Sequence, residues 1–509
     1  MTGDAAPASI PHWIGGKPYL GEQSAGDLAR SGHVVNPATG GLSADVPFAD
    51  PTVVDLAVAG AADAWGSWRH ASIAERTRVL FRFRELLHGA RDELAAVITA
   101  EHGKTRADAL GEIARGIDVV EFACGVGDLL RGGFSENASS GVDTYSLRQP
   151  LGVVVGITPF NFPAMVPLWM LPLALACGNA FVLKPSEKDP SAALFLAGLL
   201  ADAGLPDGVF SVVHGDKETV DALLQHELVK AVSFVGSTPV ARYVYERGTS
   251  LGKRVQALGG AKNHMVVLPD ADLEAAADAA VSAGFGSAGE RCMAVSVVVA
   301  VEPVGDELVA RIAERIGTIN VGPGDDPASD MGPLVTKAHR DRVASYVAGA
   351  AADGARVVVD GRAHARVEAG EGFYLGPTLL DGVRPKMACY TDEIFGPVLS
   401  VVRAASYDEA IELVSSSPYG NGAAIFTNDG AAARRFQHEV EAGMVGVNVP
   451  IPVPVAYYPF GGWKASLFGD LHAYGRDGVA FYTRGKVVTS RWPDPAGRAG
   501  PGRPQLGFR

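Results

Sequence analysis

Residues 151–258 alternate short apolar segments with amphipathic ones, and this alternation restricts the possible folds more than any other feature. Strands are predicted at 151–157, 180–183, 209–213, 231–235 and 254–258, and helices at 191–203, 217–225 and 239–247. Strand–helix alternation at this spacing is typical of βαβ units and a parallel sheet. Strands this continuously apolar are expected to have helices on both faces.

A second alternating block covers residues 271–447, with predicted helices at 272–283 and 306–316 and strands at 295–301 and 355–359. Residues 52–130 have the three-to-four spacing of helices. Residues 131–142, rich in Gly and Ser, are interpreted as a loop, followed by a short strand at 144–149. The chain is therefore predicted to form two α/β lobes, and its 509 residues suit two or three domains. The stretch from Pro493 is rich in Pro, Gly and Arg, and residues 496–509 are expected to be a disordered tail.

Composition excludes several classes of partner. The formal net charge is -13, and no long run of Lys and Arg occurs, so neither nucleic acid nor an anionic membrane surface is expected as a partner. The longest apolar stretch, 164–176, is too short for a membrane span and contains Pro167 and Pro172. Residues 1–11 lack the basic and apolar regions of a secretory signal. The 4 cysteines have no regular spacing, so neither disulfides nor a zinc site is expected, and free thiols in a reducing cytoplasm fit best.

One G-x-G-x-x-G pattern, at Gly284, Gly286 and Gly289, resembles a dinucleotide fingerprint but has the wrong context. The fingerprint must follow a strand and open a helix, whereas this one follows a helix and leads into Cys292. We reject it as a phosphate loop. Its glycines are expected instead to permit a sharp turn or the approach of a ligand near Cys292.

Among the cysteines, Cys292 has surroundings that suit a nucleophile. It follows a glycine-rich turn and Arg291, and a neighbouring cation favours the thiolate. Cys177, at the end of an apolar helix, and Cys124, on an apolar helical stripe, are interpreted as core thiols. Cys389 is uninformative. Taken alone, these surroundings leave a catalytic and a structural role for Cys292 equally open.

Five motifs give the chain a strong resemblance to the aldehyde dehydrogenase superfamily. They are TPFNFP (158–163), LKPSE (183–187), FVGST (234–238), GERC (289–292) and EIFGP (393–397). The resemblance extends from HWIGGK (12–17) to about Arg491. It implies an α/β, aldehyde dehydrogenase-like fold of two Rossmann-like lobes with parallel sheets plus a β oligomerisation arm. It also implies that Cys292 attacks an aldehyde and becomes a thioester, with the Asn161 side chain and the Cys292 backbone N–H stabilising the oxyanion. A turn role for Asn161 is the alternative.

The resemblance also implies a cofactor site for NAD. Lys184 and Glu187 match the residues that hold the adenine ribose hydroxyls, and a carboxylate there favours NAD over NADP. Without the resemblance, the two would be interpreted as an exposed ion pair. The segment Gly236-Ser237 opens a helix whose N-terminus suits the pyrophosphate. The remaining expected cofactor contacts are Thr158, Phe160, Lys188, Gly259 and, on the nicotinamide ribose, Glu393.

The chain departs from hydrolytic family members at their general base. Those members carry a Glu in an ELGGK motif, whereas this chain has QALGGAK (256–262), so that Ala257 or Leu258 stands at the position of the Glu. Loss of a general base costs about 10² to 10⁴ in rate. A thiol is a less demanding acceptor than water, because a fraction is thiolate near neutral pH. The thioester is therefore expected to wait for coenzyme A.

This departure resembles one branch of the family, the coenzyme A-acylating methylmalonate-semialdehyde dehydrogenases. The segments AKNH (261–264), GMVGVN (443–448), PFGGWK (459–464), LHA (471–473) and FYTR (481–484) are similar too. Arg115 and Arg291 match the arginines that bind the substrate carboxylate in that branch. A solvated helix position for Arg115 and a local pair with Glu290 for Arg291 are the alternatives. The resemblance implies oxidation of malonate or methylmalonate semialdehyde by NAD and coenzyme A, with loss of CO2, and both valine and inositol breakdown fit.

The resemblance divides the chain into 1–130 with 151–262 for NAD binding, 263–465 for catalysis, and 131–150 with 480–495 for oligomerisation. Strands at 144–149 and 486–492 would form the arm of a homotetramer, a dimer of dimers. A hydrolytic aldehyde dehydrogenase with another base and a catalytically silent NAD-binding protein are the competing functions.

Overall fold

The structure, a computed structural model, describes residues 8–21 and 30–492. Its helices, in chain order, are α1 (Pro51–Trp68), α2 (Ile73–Gly89), α3 (Arg91–His102), α4 (Arg106–Cys124), α5 (Met165–Ala176), α6 (Ser191–Asp202), α7 (Lys217–Gln225), α8 (Thr238–Ser250), α9 (Leu273–Phe285), α10 (Gly305–Ile316), α11 (Lys337–Ala352), α12 (Ala365–Glu368), α13 (Ala388–Thr391), α14 (Tyr407–Ser415), α15 (Gly430–Glu439) and α16 (Gly475–Phe481). Within the described ranges, no helix is both long enough and apolar enough to span a bilayer. The expected disordered tail lies outside the described residues.

The strands form two large sheets and several small ones. In chain order they are β1 (Ala8–Ser9), β2 (His12–Ile14), β3 (Lys17–Tyr19), β4 (Ser31–Val35), β5 (Leu42–Pro47), β6 (Phe134–Ser139), β7 (Val142–Pro150), β8 (Val153–Ile157), β9 (Ala180–Lys184), β10 (Phe210–Val212), β11 (Val229–Val235), β12 (Arg254–Leu258), β13 (Asn263–Val267), β14 (Val295–Val301), β15 (Arg356–Val359), β16 (Thr378–Asp381), β17 (Val398–Ala404), β18 (Tyr419–Gly420), β19 (Gly422–Phe426), β20 (Met444–Val447), β21 (Trp463–Lys464), β22 (Leu467–Phe468) and β23 (Thr483–Ser490).

The first large sheet has the strand order β22-β12-β11-β8-β9-β10-β2-β3. The predicted parallel pairing is confirmed for its five central strands, β12, β11, β8, β9 and β10. The flanking strands β22, β2 and β3, which were not predicted, pair antiparallel at the two edges of the sheet. Those edge strands are only two or three residues long, which leaves little hydrophobic pattern to detect.

The order of the central strands defines where a ligand can bind. The chain passes from β8 through β9 to β10 on one side, then returns to place β11 and β12 on the other side of β8. Such a reversal separates the loops that follow β8 and β11, and ligands bind in the crevice outside the carboxyl ends of those strands. The motifs at 158–163 and 234–238 lie at this point.

The second large sheet follows the order β15-β16-β17-β14-β13-β19-β20, and every pair except β15 with β16 is parallel. The predicted second α/β lobe is thereby confirmed. The first sheet lies within the predicted range 1–130 with 151–262, apart from its edge strand β22. The second sheet lies within the predicted range 263–465. The functions assigned to these ranges stay predictions.

A third sheet has the strand order β23-β7-β6 and is antiparallel. It is formed by residues 134–150 and 483–490. The prediction of a loop over 131–142 is wrong, because Phe134–Ser139 is strand β6. Its Gly and Ser content hid a strand whose residues are all exposed, so no apolar alternation marks it. The predicted strand at 486–492 is found as β23, shifted to Thr483–Ser490.

Helix α5 is buried along its whole length and packs against α4. It contains Pro172. The longest apolar stretch of the sequence is therefore a core helix, which lies between the first sheet and its outer helices. The N-cap of helix α4 is Thr105, whose hydroxyl accepts a hydrogen bond from the Asp108 backbone N–H at 3.2 Å. The pair α4 and α5 supplies one wall of the candidate active site.

Candidate active site

Cys292 lies where two cavities meet. One, the arginine cavity, has a volume of about 300 Å³ and is lined by Asp108, Arg115, Arg291 and Cys292 together with apolar side chains of α5 and the 451–460 segment. The other, the loop cavity, has a volume of about 310 Å³ and is formed by loops at the carboxyl ends of β8, β11 and β12, again with Cys292 in its lining. A thiol at this junction is accessible to a molecule in either cavity.

The loop cavity gathers most of the residues predicted to contact a cofactor. Those in its lining are Phe160, Lys188, Gly236, Ser237, Gly259 and Glu393, and Asn161 joins them. Thr158, Lys184 and Glu187 are not in the lining. Thr158 is buried beneath it, with its hydroxyl unpartnered in the described part of the chain. His339 and Arg342 of the lining were missed because they lie on α11, which has no recognisable motif, and Phe395 belongs to the EIFGP motif but was given no role.

Lys184 ends β9 and holds its ammonium 3.5 Å from the Glu187 carboxylate. The interpretation of this pair as exposed is wrong for Lys184, whose side chain is buried, and burial lowers the pKa of its ammonium. The Lys184 ammonium is a hydrogen-bond donor, and the Glu187 carboxylate is an acceptor held close to it. Two neighbouring hydroxyl groups of a ligand can be bound by such a donor and acceptor.

The N-terminus of α8 opens into the loop cavity. Ser237 occupies the N-cap position, and its side chain makes no capping hydrogen bond. The first N–H groups of a helix have no partner within the helix, so an uncapped end at a cavity is suited to an anion. Neither Gly236 nor Gly259 leaves space for a side chain. A Cβ at residue 259 would lie 2.6 Å from the Ala465 carbonyl oxygen, so a glycine there allows the two backbone segments to approach each other.

Asn161 is buried and held by contacts on both its side chain and its backbone. Its Nδ2 donates to the Glu290 carbonyl oxygen at 2.9 Å, which leaves the second N–H of the amide free to donate elsewhere. Its own carbonyl accepts from Lys104 Nζ at 2.6 Å. These two contacts hold both the side chain and the backbone of Asn161 in place.

Lys104 and Glu112 form a fully buried ion pair at 2.8 Å that the sequence analysis missed. The other carboxylate oxygen of Glu112 accepts from the backbone N–H groups of Ala164 and Met165, at 2.8 and 3.0 Å. A buried pair is tolerated when such additional hydrogen bonds satisfy both charges. The pair thereby joins α4, the first turn of α5 and the Asn161 backbone. In the sequence, Lys104 and Glu112 stand 8 positions apart. Charged residues on an ordinary exposed helix also show such a spacing, so it does not reveal the pair.

Arg291 favours the Cys292 thiolate, as expected, but burial outweighs its effect. Burial raises the pKa of the Cys292 thiol to about 12, the Glu393 carboxylate adds to the rise, and Arg291 opposes it only weakly. The Arg291 guanidinium itself pairs with Asp108. A thiol with a pKa of about 12 is neutral at pH 7.

Glu393 contacts the turn that replaces the family's general base. Its Oε1 accepts from the Ala261 backbone N–H at 2.8 Å, and burial raises the pKa of its carboxyl. Lys262 fixes the loop in front of Glu393 by donating to the Cys389 and Asp392 carbonyl oxygens at 2.8 and 2.7 Å. Burial lowers the pKa of the Lys262 ammonium to about 8.

Both predicted arginines line the arginine cavity. The Arg115 side chain is 50% exposed, and its only acidic neighbour in the described residues is Asp118 at 3.9 Å. The predicted alternative for Arg291, a local pair with Glu290, is wrong, because Arg291 pairs with Asp108 on α4 and Glu290 points into the protein. The cavity therefore combines two cations with an apolar wall formed by Phe162, Trp169 and Phe460.

Of the two candidate positions for the missing general base, Ala257 and Leu258, the fold indicates Leu258. Leu258 packs in the same apolar cluster as Met293 and the partly buried Cys292, whereas Ala257 packs in the cluster on the opposite face of the sheet. Side chains alternate faces along a strand, so only one of the two can point towards Cys292. The side chain facing the nucleophile is therefore aliphatic and accepts no proton.

Glu290 is a buried acid next to the site. Its Oε2 has no hydrogen-bond partner among the described residues and lies 3.9 Å from His102 Nε2, and its Oε1 lies 3.5 Å from His339 Nε2. Burial raises the pKa of the Glu290 carboxyl to about 8. Burial also lowers the pKa of both histidines, that of His339 to about 4. A neutral carboxyl between neutral imidazoles is therefore the form expected at neutral pH.

The thiol of Cys292 at the junction of a Rossmann-like crevice and a second cavity fits an aldehyde-oxidising class of enzyme. The model of the aldehyde dehydrogenase family matches residues 24–488. The chain belongs to the aldehyde dehydrogenase family.

Individual relatives narrow the comparison. The chain is 55% identical over 471 residues to malonate-semialdehyde dehydrogenase of Pseudomonas aeruginosa, covering 92% of this chain and 95% of the relative. It is 51% identical over 477 residues to malonate-semialdehyde dehydrogenase 3 of Geobacillus kaustophilus, covering 94% and 98%. The crystal structure of methylmalonate-semialdehyde dehydrogenase from Oceanimonas doudoroffii superposes with a TM-score of 0.94 at 52% identity, covering 96% of this chain and 100% of that one. A Sinorhizobium meliloti protein crystallised with NAD gives a TM-score of 0.93 at 49% identity, covering 96% and 99%.

Proposed function

We propose that this chain oxidises malonate or methylmalonate semialdehyde with NAD and coenzyme A, releasing CO2 and forming acetyl- or propanoyl-coenzyme A. The observation that carries the proposal is the position of Cys292 between a cavity with two arginines and a cavity with the helix N-terminus and Asn161. The relatives named for malonate and methylmalonate semialdehyde agree with it.

The loop cavity, together with the Lys184–Glu187 pair outside its lining, offers the hydrogen-bonding groups that NAD requires. The uncapped N-terminus of α8 suits the pyrophosphate, and the Lys184 ammonium with the Glu187 carboxylate suits the two adenine ribose hydroxyls. Glu393 would accept from the nicotinamide ribose, while Phe160 and Lys188 close one side of the cavity. NAD bound in this way would supply the acceptor for the hydride that leaves the carbon attached to Cys292.

Cys292 and Asn161 would carry the covalent chemistry. Sγ of Cys292 attacks the aldehyde carbon, and the free N–H of the Asn161 amide, with the Cys292 backbone N–H, stabilises the oxygen as it gains negative charge. The contacts to Glu290 and Lys104 keep the amide in place, so it does not have to reorganise during the reaction. Because the thiol has a raised pKa in the ligand-free protein, thiolate formation is expected only after ligands have bound.

Arg115 and Arg291 would bind the substrate carboxylate. Guanidinium groups bind carboxylates with two parallel hydrogen bonds, and the arginine cavity offers two such groups next to the thiol. Once the thioester has formed, its carbonyl lies beta to that carboxylate. The C–C bond to the carboxylate then breaks, CO2 leaves, and the electron pair moves onto the thioester as an enolate that takes up a proton.

Coenzyme A would complete the cycle because water lacks a base at Leu258. The coenzyme A thiolate attacks the thioester carbon, and the C–S bond to Cys292 breaks, so the free enzyme thiol is restored. The dimer-of-dimers assembly and a cytoplasmic location are retained as predictions.

The test follows NADH formation from malonate semialdehyde with and without coenzyme A, with product analysis. The wild type should depend strongly on coenzyme A and form acetyl-coenzyme A, and Arg115→Ala should raise KM by at least about tenfold. Arg91→Ala is a matched control, because Arg91 is also 50% exposed and lies 3.8 Å from its only acidic partner in the described residues, outside both cavities. Equal turnover without coenzyme A, yielding a free acid, would refute the acylating assignment.

A second variant tests why coenzyme A is needed. Leu258→Glu places a carboxylate on the face that contacts the Cys292 segment, and it should create coenzyme A-independent release of the free acid. A general base contributes about 10² to 10⁴ in rate, so a gain of about tenfold or more is expected even with imperfect geometry. Leu258→Gln has the same size without the base and should show no gain. Equal rates for both variants would mean that the residue at 258 does not limit hydrolysis.

A further inference from the structure

The Arg291 guanidinium is held on two sides within the arginine cavity. One edge pairs with the Asp108 carboxylate, and one face lies against the backbone of Gly286. A Cβ at residue 286 would stand 2.6 Å from Arg291 Cζ, which is too close for any side chain to fit without moving the guanidinium. The rejected glycine pattern therefore has a local function, which is to make room for Arg291.

Asp108 is itself fixed by contacts to two elements. Its Oδ2 accepts from the Thr105 hydroxyl on its own helix and from the Ser287 backbone N–H, both at 3.2 Å. Ser287 and Ala288 each have a φ of 53°, which costs about 1 kcal/mol or more for a residue with a side chain. Asp108 thus fixes Arg291 and the strained turn that leads to Cys292 at the same time.

The charge balance of the cavity makes this arrangement informative. Asp108 removes part of the positive charge that a substrate carboxylate would need, so a site optimised only for anion attraction would not contain it. Its side chain is 15% exposed and that of Arg291 is 24% exposed, so the pair lies at the cavity wall rather than in bulk solvent. The presence of Asp108 is explained if substrate binding depends more on the orientation of the Arg291 guanidinium than on the net charge of the cavity.

We propose that Asp108 is a specificity-determining positioning residue, which holds Arg291 over Gly286 so that the free edge of the guanidinium meets the carboxylate of a three-carbon semialdehyde at Cys292. The inference rests on the proposed function, because it assumes a substrate with a carboxylate beta to the reacting carbon. A bidentate contact requires the planar fork to be aligned, and Arg291 without Asp108 would be free to rotate.

The experiment compares kcat/KM for malonate semialdehyde with that for propanal, which has the same chain length and no carboxylate, in the presence of NAD and coenzyme A. Asp108→Ala should raise KM for malonate semialdehyde roughly tenfold or more, since misplacement near a reacting centre costs up to about 10²-fold, and it should lower kcat/KM for malonate semialdehyde at least about fivefold more than kcat/KM for propanal. Asp108→Asn keeps an oxygen acceptor and should recover most of the loss.

Gly286→Ala provides an independent variant, because its Cβ displaces the guanidinium directly, and it should show the same selective loss. Asp92→Ala is the matched control, an aspartate in the first turn of the neighbouring helix α3 that pairs with an arginine outside the cavity. A lower KM for malonate semialdehyde in both Asp108 variants would mean that Asp108 only competes for charge, and an equal loss for both aldehydes would mean a structural role. Either result overturns the inference. A wild type that does not distinguish the two aldehydes would overturn the proposed function instead.

Discussion

At the residue scale, burial decides the protonation of the groups around Cys292 more than their charged neighbours do. The sequence places Arg291 beside Cys292, and from that neighbour alone a thiolate was expected. The folded chain pairs Arg291 with Asp108, which lies 183 residues away in the sequence. No local pattern reveals such a partner, nor the burial and the Glu393 carboxylate that raise the pKa of Cys292.

The Glu290 carboxyl gives a pH prediction at this scale. Its pKa is about 8 in the folded protein and near 4.5 in the unfolded chain, so the folded state binds the proton more tightly between these values. Stability is therefore lost as pH rises from about 4.5 towards 8. Glu290→Gln mimics the neutral carboxyl at every pH and removes this loss.

The melting temperature of Glu290→Gln minus that of the wild type should therefore increase from pH 5 to pH 8, by an amount that corresponds to at most a few kcal/mol. His102 and His339 have lowered pKa values in both proteins, so their contributions cancel in the difference. The measurement is differential scanning calorimetry across this pH range. A difference that stays constant with pH would show that Glu290 is already ionised in the folded protein.

At the element scale, the sequence predicted the core strands and helices well because their residues carry a strong periodic pattern. Helix Lys217–Gln225 and strands Arg254–Leu258 and Val295–Val301 have the predicted bounds. The strand Phe134–Ser139 was missed because it lies on an exposed sheet, where burial imposes no alternation. The motifs located most of the candidate site, but the contacts that hold it together join separate elements and left no pattern in the sequence.

The Lys104–Glu112 pair belongs to such a set of contacts, because Lys104 precedes α4, Glu112 lies on α4, and Glu112 also accepts from the start of α5. Glu112→Gln leaves the buried Lys104 ammonium without its counter-charge and should lower stability by about 3 to 5 kcal/mol. Lys104→Met with Glu112→Gln removes both charges and should recover part of that loss. Because Lys104 also donates to the Asn161 carbonyl oxygen, the double variant should stay impaired in kcat although its stability improves.

Thermal unfolding and steady-state kinetics of both single variants and the double variant form a complete mutant cycle. Glu85→Gln is a suitable control, since its carboxylate pairs with Arg84 at the surface, where ion pairs contribute about 0 to 1 kcal/mol. If the double variant were the least stable of the set, with additive losses, the two residues would not act as a pair.

At the scale of the whole molecule, the third sheet leaves apolar side chains exposed on its strands. Val487 on β23 is 70% exposed and Phe134 on β6 is 65% exposed, and β23 is an outer strand of the sheet among the described residues. An exposed edge with apolar side chains is a site of association unless it is covered. This arrangement supports the prediction that residues 131–150 and 480–495 form an oligomerisation arm.

Val487→Lys should therefore convert the predicted dimer of dimers into smaller assemblies, because a lysine ammonium would have to be desolvated in an apolar contact. The molar mass in solution, measured by light scattering after size exclusion, should fall by half or more. Leu56→Lys introduces the same charge at an exposed apolar residue of α1, far from the arm in the sequence, and should leave the mass unchanged. An unchanged mass for Val487→Lys would mean that the arm strand does not carry the assembly. Because Val487 lies outside both cavities, any accompanying loss of activity would indicate that the active site depends on the assembled state.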